Sequence, residues 1–269
     1  MEPLFVTEIR NVLLVPLSLP IATSTPKETA LLFATSTSNR EITLDKDGVL
    51  LKRQDVADRQ DRATTTMLLK NVHSFDVFNS RIVAVDWNGF AAYIDFETGQ
   101  IRTVGRTGLL LVKNRPLRMA SSPNDEVAIM DSAGGVILID DNENMIPLTG
   151  GVKNLQFDAR GDKLLLQKDG SIEVVWRRDN KYQPFQREGV QETILTLRST
   201  VHDAQWFYGD NAHVVFRTDE GIYMTELDGR GGRNTAELVS GKTDGLITRP
   251  ELPNAVFFKK GNGYFKIEL

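Results

Sequence analysis

The hydrophobic pattern of this chain repeats one short phrase. An apolar anchor leads into a β-prone run, a turn containing Gly or Asp follows, and a second β-prone run often ends in Asp. One copy has Val72, Phe75 and Val77, then Arg81–Asp86, the turn Trp87-Asn88-Gly89, and Phe90–Asp95. Another has Val201, Ala204 and Trp206, then residues 214–217, the turn 218–221, and residues 222–228. Aligned on the second strand, the copies begin at Leu31, Arg81, Val127, Leu164, Val214 and Val256. Their spacing stays near the roughly 40–50 residues of a four-stranded propeller blade. It drifts too much for a solenoid, whose coils must keep a constant length to stack.

The runs Ile82-Val83-Ala84-Val85, Val136-Ile137-Leu138-Ile139, Leu164-Leu165-Leu166 and Val214-Val215-Phe216 are short and almost continuously apolar. Such runs suit middle strands covered on both faces, while the mixed segments 193–198 and 235–239 suit outer strands. Turns at Asp47-Gly48, Asn88-Gly89, Gly134-Gly135, Asp169-Gly170 and Asn262-Gly263 each offer a residue that tolerates positive φ. The polar stretch from Gln54 to Thr65 is the one place for a short helix or a long loop. The expected fold is therefore all-β: a β-propeller of about six four-stranded blades in a single domain, residues 1–269. The blades fall near 28–70, 71–114, 115–150, 151–200 and 201–242, with a last blade of two or three strands from Thr243. The segment 5–19, within residues 1–20, supplies the missing strand of that blade and closes the ring, which hides two raw sheet edges. Five or seven blades also accommodate the hard-to-place segments 20–26 and 181–189.

The chain has 269 residues, enough for a large core, and no cysteine, which excludes disulfides and thiolate metal sites. A net charge of −4 with interspersed signs argues against a nucleic-acid surface. No stretch approaches the roughly 18 apolar residues of a membrane-spanning helix, and the first ten residues carry Glu2 and Glu8 rather than a basic leader. If the protein acts outside the cytoplasm, what exports it is missing from this sequence.

The blade phrase resembles TolB-like and WD-repeat-like bacterial propellers. Leu117 to Pro123 followed by Asn124-Asp125-Glu126-Val127 is similar to their Ser-Pro-Asp-Gly blade opening, with Asn-Asp in place of Asp-Gly. Residues 5–14, Val72-His73-Ser74-Phe75-Asp76-Val77 and residues 226–234 are similar to the propeller region that follows PEGA domains in bacterial envelope proteins, although no PEGA domain is present. The first run would then be a seam to an upstream domain. This resemblance implies an envelope-facing, non-catalytic protein. A closed ring presents loops on a rigid face, so the expected role is binding or scaffolding by a monomer that contacts another protein or a cell-surface polymer. The resemblance transfers no site residues.

Candidate chemistry is sparse. There is no Gly-x-Ser-x-Gly elbow, and the histidines are His73, His202 and His213. His73, Arg118, Lys153 and His202 each follow the apolar anchor of a blade. Equivalent blade positions would place them around one channel mouth, able to hold an anionic group or acidic peptide; the plainer reading has them capping first strands, bonded to neighbouring backbone. No catalytic residue, cofactor or metal is expected. Gly229-Arg230-Gly231-Gly232-Arg233 offers an anion nest or an exposed hairpin connection. Asp45-x-Asp47-Gly48 starts like a calcium loop, but Val56 stands at the twelfth position, so it reads as a turn. Trp176, Trp206 and Trp87 read as packing groups between blades or as turn shields, Trp87 being the one whose place in a turn also admits exposure. A glycan-cleaving enzyme would need two carboxylates about 5–10 Å apart, with Asp76, Asp158 and Asp203 as candidates. A cytoplasmic interaction propeller is the remaining alternative.

Overall fold

A computed structural model describes residues 40–45, 47–55, 63–78 and 81–269, and among these there are twenty-two β-strands and no helix. The strands form six antiparallel sheets, each running in chain order. The first sheet holds β1 (Arg40–Leu44), β2 (Leu50–Asp55) and β3 (Ala63–Leu69). The second holds β4 (Val72–Phe78), β5 (Arg81–Asp86), β6 (Phe90–Asp95) and β7 (Ile101–Arg106). The third holds β8 (Arg118–Ser121), β9 (Val127–Met130), β10 (Val136–Ile139) and β11 (Met145–Pro147). The fourth holds β12 (Val152–Phe157), β13 (Lys163–Lys168), β14 (Ser171–Trp176) and β15 (Gln191–Thr196). The fifth holds β16 (Asp203–Phe207), β17 (His213–Arg217), β18 (Gly221–Glu226) and β19 (Thr235–Ser240). The sixth holds β20 (Gly245–Arg249), β21 (Leu252–Lys260) and β22 (Gly263–Glu268).

The expected class is thus the observed one: all-β, built of successive meanders of propeller-blade type, the last with three strands. The ring-closing segment 5–19, the segment 20–26 and Leu31 lie outside the described residues. Of the polar stretch from Gln54 to Thr65, expected as a short helix or a long loop, Gln54 and Asp55 end β2 and residues 63–65 begin β3, while residues 56–62 lie outside the described residues. The β-branched pair Thr65-Thr66 loses side-chain freedom in a helix and sits readily on a pleated strand.

The described chain falls into two compact units, residues 40–121 with 125–150, and 122–124 with 151–269. In the first unit, the middle strands of the second sheet split their apolar residues by parity. Ile82, Ala84 and Ile94 pack on Ile42, Leu44 and Leu50 of the first sheet. Val83, Val85 and Tyr93 pack on Val127, Ile129 and Ile137 of the third. The second unit repeats the arrangement. Val214 and Phe216 face Leu165, Val174 and Trp176, whereas Val215 faces Leu246, Val256 and Phe258. Side chains alternate across a strand, so a strand covered on both faces must be apolar at every position. Each such large side chain contributes about 1.5–3 kcal/mol on burial.

The recurrent Asp has a mechanical role at the turns. The Oδ1 atoms of Asp45, Asp86 and Asp131 each accept from the N–H groups two and four residues on, at 2.8–2.9 Å. This fastens the β1–β2, β5–β6 and β9–β10 hairpins while Gly48, Gly89 or Gly134 takes positive φ.

The sheets of the second unit are also joined by side-chain amides. Gln167 Oε1 accepts from Ala204 N at 3.0 Å and its Nε2 donates to Val201 O at 2.8 Å. Gln156 Oε1 accepts from Trp206 N at 3.3 Å. Gln205 Oε1 accepts from Thr248 N at 2.7 Å and its Nε2 donates to Leu246 O at 2.8 Å. Gln167 is buried, so replacing it leaves an N–H and a C=O without partners. Gln167→Leu is expected to lower unfolding free energy by about 2–4 kcal/mol, read as a lower urea midpoint with unchanged slope; a midpoint equal to wild type would remove the clamp from the account.

Candidate functional site

The four residues after the anchors lie two in each unit, His73 and Arg118 in the first and Lys153 and His202 in the second. In the second sheet the register of β4 against β5 slips between Val72 and Ser74, which makes His73 a bulge residue. Lys153 holds the same place in the fourth sheet, where β12 slips against β13 between Val152 and Asn154. A bulge re-aims one side chain out of the regular alternation. Each of these points at the central hairpin turn of its own sheet.

His73 is buried and makes an edge-on contact with Trp87 of the β5–β6 turn, ring centroids 4.4 Å apart. Its Nε2 lies 3.1 Å from Val112 O, a pure acceptor, so Nε2 carries the proton and donates. Nδ1 then accepts from the Ser74 hydroxyl at 2.7 Å, and Ser74 Oγ accepts in turn from Leu117 N at 2.8 Å. Arg118, the next residue, begins β8 and is exposed. Lys153 Nζ lies 3.4 Å from Asp169 Oδ2 in the β13–β14 turn. His202 Nε2 lies 3.1 Å from Asp219 Oδ1 in the β17–β18 turn, without the alignment of a hydrogen bond. Lys242 Nζ reaches the same Asp219 oxygen at 3.9 Å. In the sixth sheet Asp244 Oδ2 accepts from Gly261 N at 2.8 Å, again at its own hairpin turn. His73 is thus internally bonded, and Lys153 and His202 stand in a mixed-charge row with Asp169, Asp219, Lys242 and Asp244 on the second unit.

The blade pattern singles out His73, Lys153 and His202 but not the turn residues beside them, Trp87, Asp169 and Asp219. Their signal was present: all three stand in the turn between second and third strands of their sheets. The anion nest does not form with free guanidiniums. Arg230 is bonded to Asp228, whose carboxyl is held down to about 2 by that guanidinium, and Arg233 is bonded to Glu192. The Asp45 loop is a turn fastened by its own backbone, and among the described residues no group of His, Asp and Glu could hold a metal ion.

The three carboxylates weighed for chemistry are engaged separately. Asp203 accepts from Arg217 Nε at 2.6 Å. Burial pushes the Asp76 carboxyl up, opposed by a hydrogen bond from Val77 N–H. Asp158 is buried with Lys163 Nζ at 2.9 Å and also accepts from Asn211 Nδ2 at 2.8 Å. Lys163 Nζ lies 5.5 Å from the ring centroids of both Trp176 and Trp206, which are buried as expected. Trp87 shields the His73 ring at its turn and is itself 39% exposed.

No family model matches the chain, and no curated protein matches it. Among solved structures it is similar to a computationally designed protein, Ika8, with a TM-score of 0.53 and 14% identity over 88% of this chain and 70% of that one. It is also similar to YCF48 bound to a D1 peptide, with a TM-score of 0.47 and 11% identity over 88% of this chain and 76% of that one. The likeness to the designed protein is one of fold.

Two outcomes follow from the ionic contacts. Lys163→Met removes the cation that neutralises a buried carboxylate and is expected to cost about 3–5 kcal/mol, measured by chemical denaturation; a loss under about 1 kcal/mol would show that Asn211 and backbone donors suffice. The second concerns His213, whose Nδ1 lies 2.6 Å from Asp210 Oδ2. That hydrogen bond raises the imidazole above its ordinary value of 6.5, against the opposing effect of burial. Burial alone would raise the Asp210 carboxyl, but the bonds from His213 and Ala212 N–H hold it below its ordinary value. The imidazole contribution is complete below the unfolded value of about 6.5 and is lost as pH rises through the folded one; the carboxylate contribution is present above about 4 and is lost on acidification. The pair therefore stabilises most between about pH 4 and 6.5. His213→Gln is expected to flatten the decline of the urea midpoint above that window, and NMR titration should place the His213 midpoint above 6.5.

Proposed function

We propose that this chain is a non-catalytic β-propeller module that binds or scaffolds at the bacterial cell envelope, through contacts with another protein or a surface polymer. The observation that carries the reading is the row of charged side chains fixed at the hairpin turns of the second unit. Side-chain exposures of 55% and 73% for Lys153 and Asp169, and 60% and 74% for Asp219 and Lys242, leave these ion pairs open to a ligand. Exposed pairs contribute little to stability, about 0–1 kcal/mol, so their partners exchange readily for those of a bound molecule. They stand on turns held by rigid, clamped sheets, and recognition is commonly built from loops on such scaffolds. General acid–base chemistry has less support, because Asp158 and Asp203 are each neutralised by a neighbouring cation. The envelope location draws on the resemblance of the anchor and turn residues to PEGA-linked and TolB-like propellers.

The test is a cross-linked pull-down from bacterial envelope extract with the native chain and with a Lys153→Ala, His202→Ala, Lys242→Ala triple variant. The expected result is a defined partner that the native chain recovers and the variant recovers at least about fivefold less. Equal recovery of every species by both would remove the charged row as the binding surface.

A further inference from the structure

The link between β14 and β15, residues 177–190, is much longer than the corresponding links at 96–100, 140–144 and 227–234. It includes 181–189, the segment that fits no blade register. It folds on itself as a small hairpin. Trp176 N donates to Val190 O at 2.8 Å and Gly189 N to Trp176 O at 2.7 Å, which closes the neck. Asn180 and Gln186 pair as an antiparallel bridge, and Asn180 Nδ2 donates to Pro184 O at 2.8 Å across the tip. At this tip Tyr182 is 83% exposed and Phe185 68%, the most exposed large hydrophobic side chains among the described residues. A loop with these internal bonds holds its shape, so the aromatic rings are presented to solvent rather than left there by disorder.

The charges sort along the same hairpin. Residues 177–190 contain four cations and two anions in a chain of net charge −4. The anions are drawn to the base: Asp179 Oδ1 accepts from Glu188 N at 2.9 Å, and Glu188 faces Arg177 at 3.9 Å. Lys181 and Arg187 are exposed beside the rings.

We infer that this hairpin docks the protein on an anionic lipid surface, with Tyr182 and Phe185 entering the headgroup region and Lys181 and Arg187 beside the lipid phosphates. A convex, shape-holding tip suits a fluid surface that needs no matching pocket. Aromatic side chains partition to the membrane–water boundary, and each nearby cation adds attraction to anionic lipid. One hairpin gives reversible association. The site stands at the opposite end of β14 from Asp169, about 17–20 Å along a six-residue strand, so it goes beyond the charged row and succeeds or fails separately from it.

The test is co-sedimentation of the full chain with phosphatidylethanolamine vesicles containing about 30% phosphatidylglycerol, against phosphatidylcholine vesicles. The native chain is expected to bind the anionic vesicles selectively and to release as salt rises from about 0.1 to 0.5 M. Tyr182→Ser with Phe185→Ser, and separately Lys181→Glu with Arg187→Glu, should each lower the partition coefficient about tenfold. Both pairs alter exposed side chains, and unchanged melting confirms that they fold. The Lys153, His202, Lys242 alanine variant should bind vesicles like the native chain. No binding to anionic vesicles, or native-level binding by the aromatic variant, overturns the proposal; the first result leaves a pocket on a protein partner as the occupant, and the second leaves only general charge attraction.

Discussion

The constraint on which the second unit depends is the free backbone edge at the start of each sheet. A first strand pairs on one side only, and its other side carries N–H and C=O groups that must find partners when buried. Ala204 and Trp206 lie two apart on β16, so their N–H groups point to the same side, and both are met by glutamines of the preceding sheet. Thr248 on β20 is met by Gln205 in the same way. A side-chain amide offers one acceptor and two donors, so it imitates a peptide group and joins two sheets where a continuous ladder would fuse them. Hydrophobic contact between sheets sets how close they come, and the amide fixes which residues face each other.

This division explains how much of the architecture was legible. The parity of apolar residues along β5 and β17 is an arithmetic property of strands, and Val83 and Val215 could be read as doubly covered from sequence alone. The turn signals at Asp47-Gly48 and Asn88-Gly89 were legible because few residues accept positive φ, and the aspartates before them proved to be their fasteners. Glutamines such as Gln156, Gln167 and Gln205 carry no such signal. A glutamine in a β-prone run looks like a solvated outer position, and only the third dimension brings a foreign strand to it. Polarity likewise hides the start of β3, where Thr65 and Thr66 are exposed on an edge strand and polar side chains cost nothing.

The candidate site was half legible in the same sense. Counting from each anchor located His73, Lys153 and His202, because a repeat carries equivalent positions to equivalent places. Their partners differ between sheets, and that difference decides what each residue can do. Trp87 and Ser74 enclose His73 in a closed set of bonds, so it orders the strand. Asp169 and Asp219 are exposed, so Lys153 meets its partner at the surface, and His202 lies beside a carboxylate that Lys242 also reaches. The same position of the repeat is therefore an internal brace in the second sheet and a solvent-facing contact in the fourth, and the turn residue facing each bulge selects between them.

The same logic bears on the segment that would not fit the repeat. A blade framework constrains residues whose side chains meet the next sheet, and it leaves the links between strands free in length. Residues 181–189 resisted placement because no neighbouring sheet imposes a pattern on them. Their own pattern, two aromatic rings between cations on a closed hairpin, answers to something outside the chain. In a repeat fold the positions that break register are the ones least explained by folding. The hairpin at Tyr182 and Phe185 adds exposed apolar surface and no core contact, which is a cost to an isolated protein. Its internal hydrogen bonds nonetheless hold those rings in place, and this combination of unfavourable exposure with fixed shape is the physical mark of a surface made to be covered.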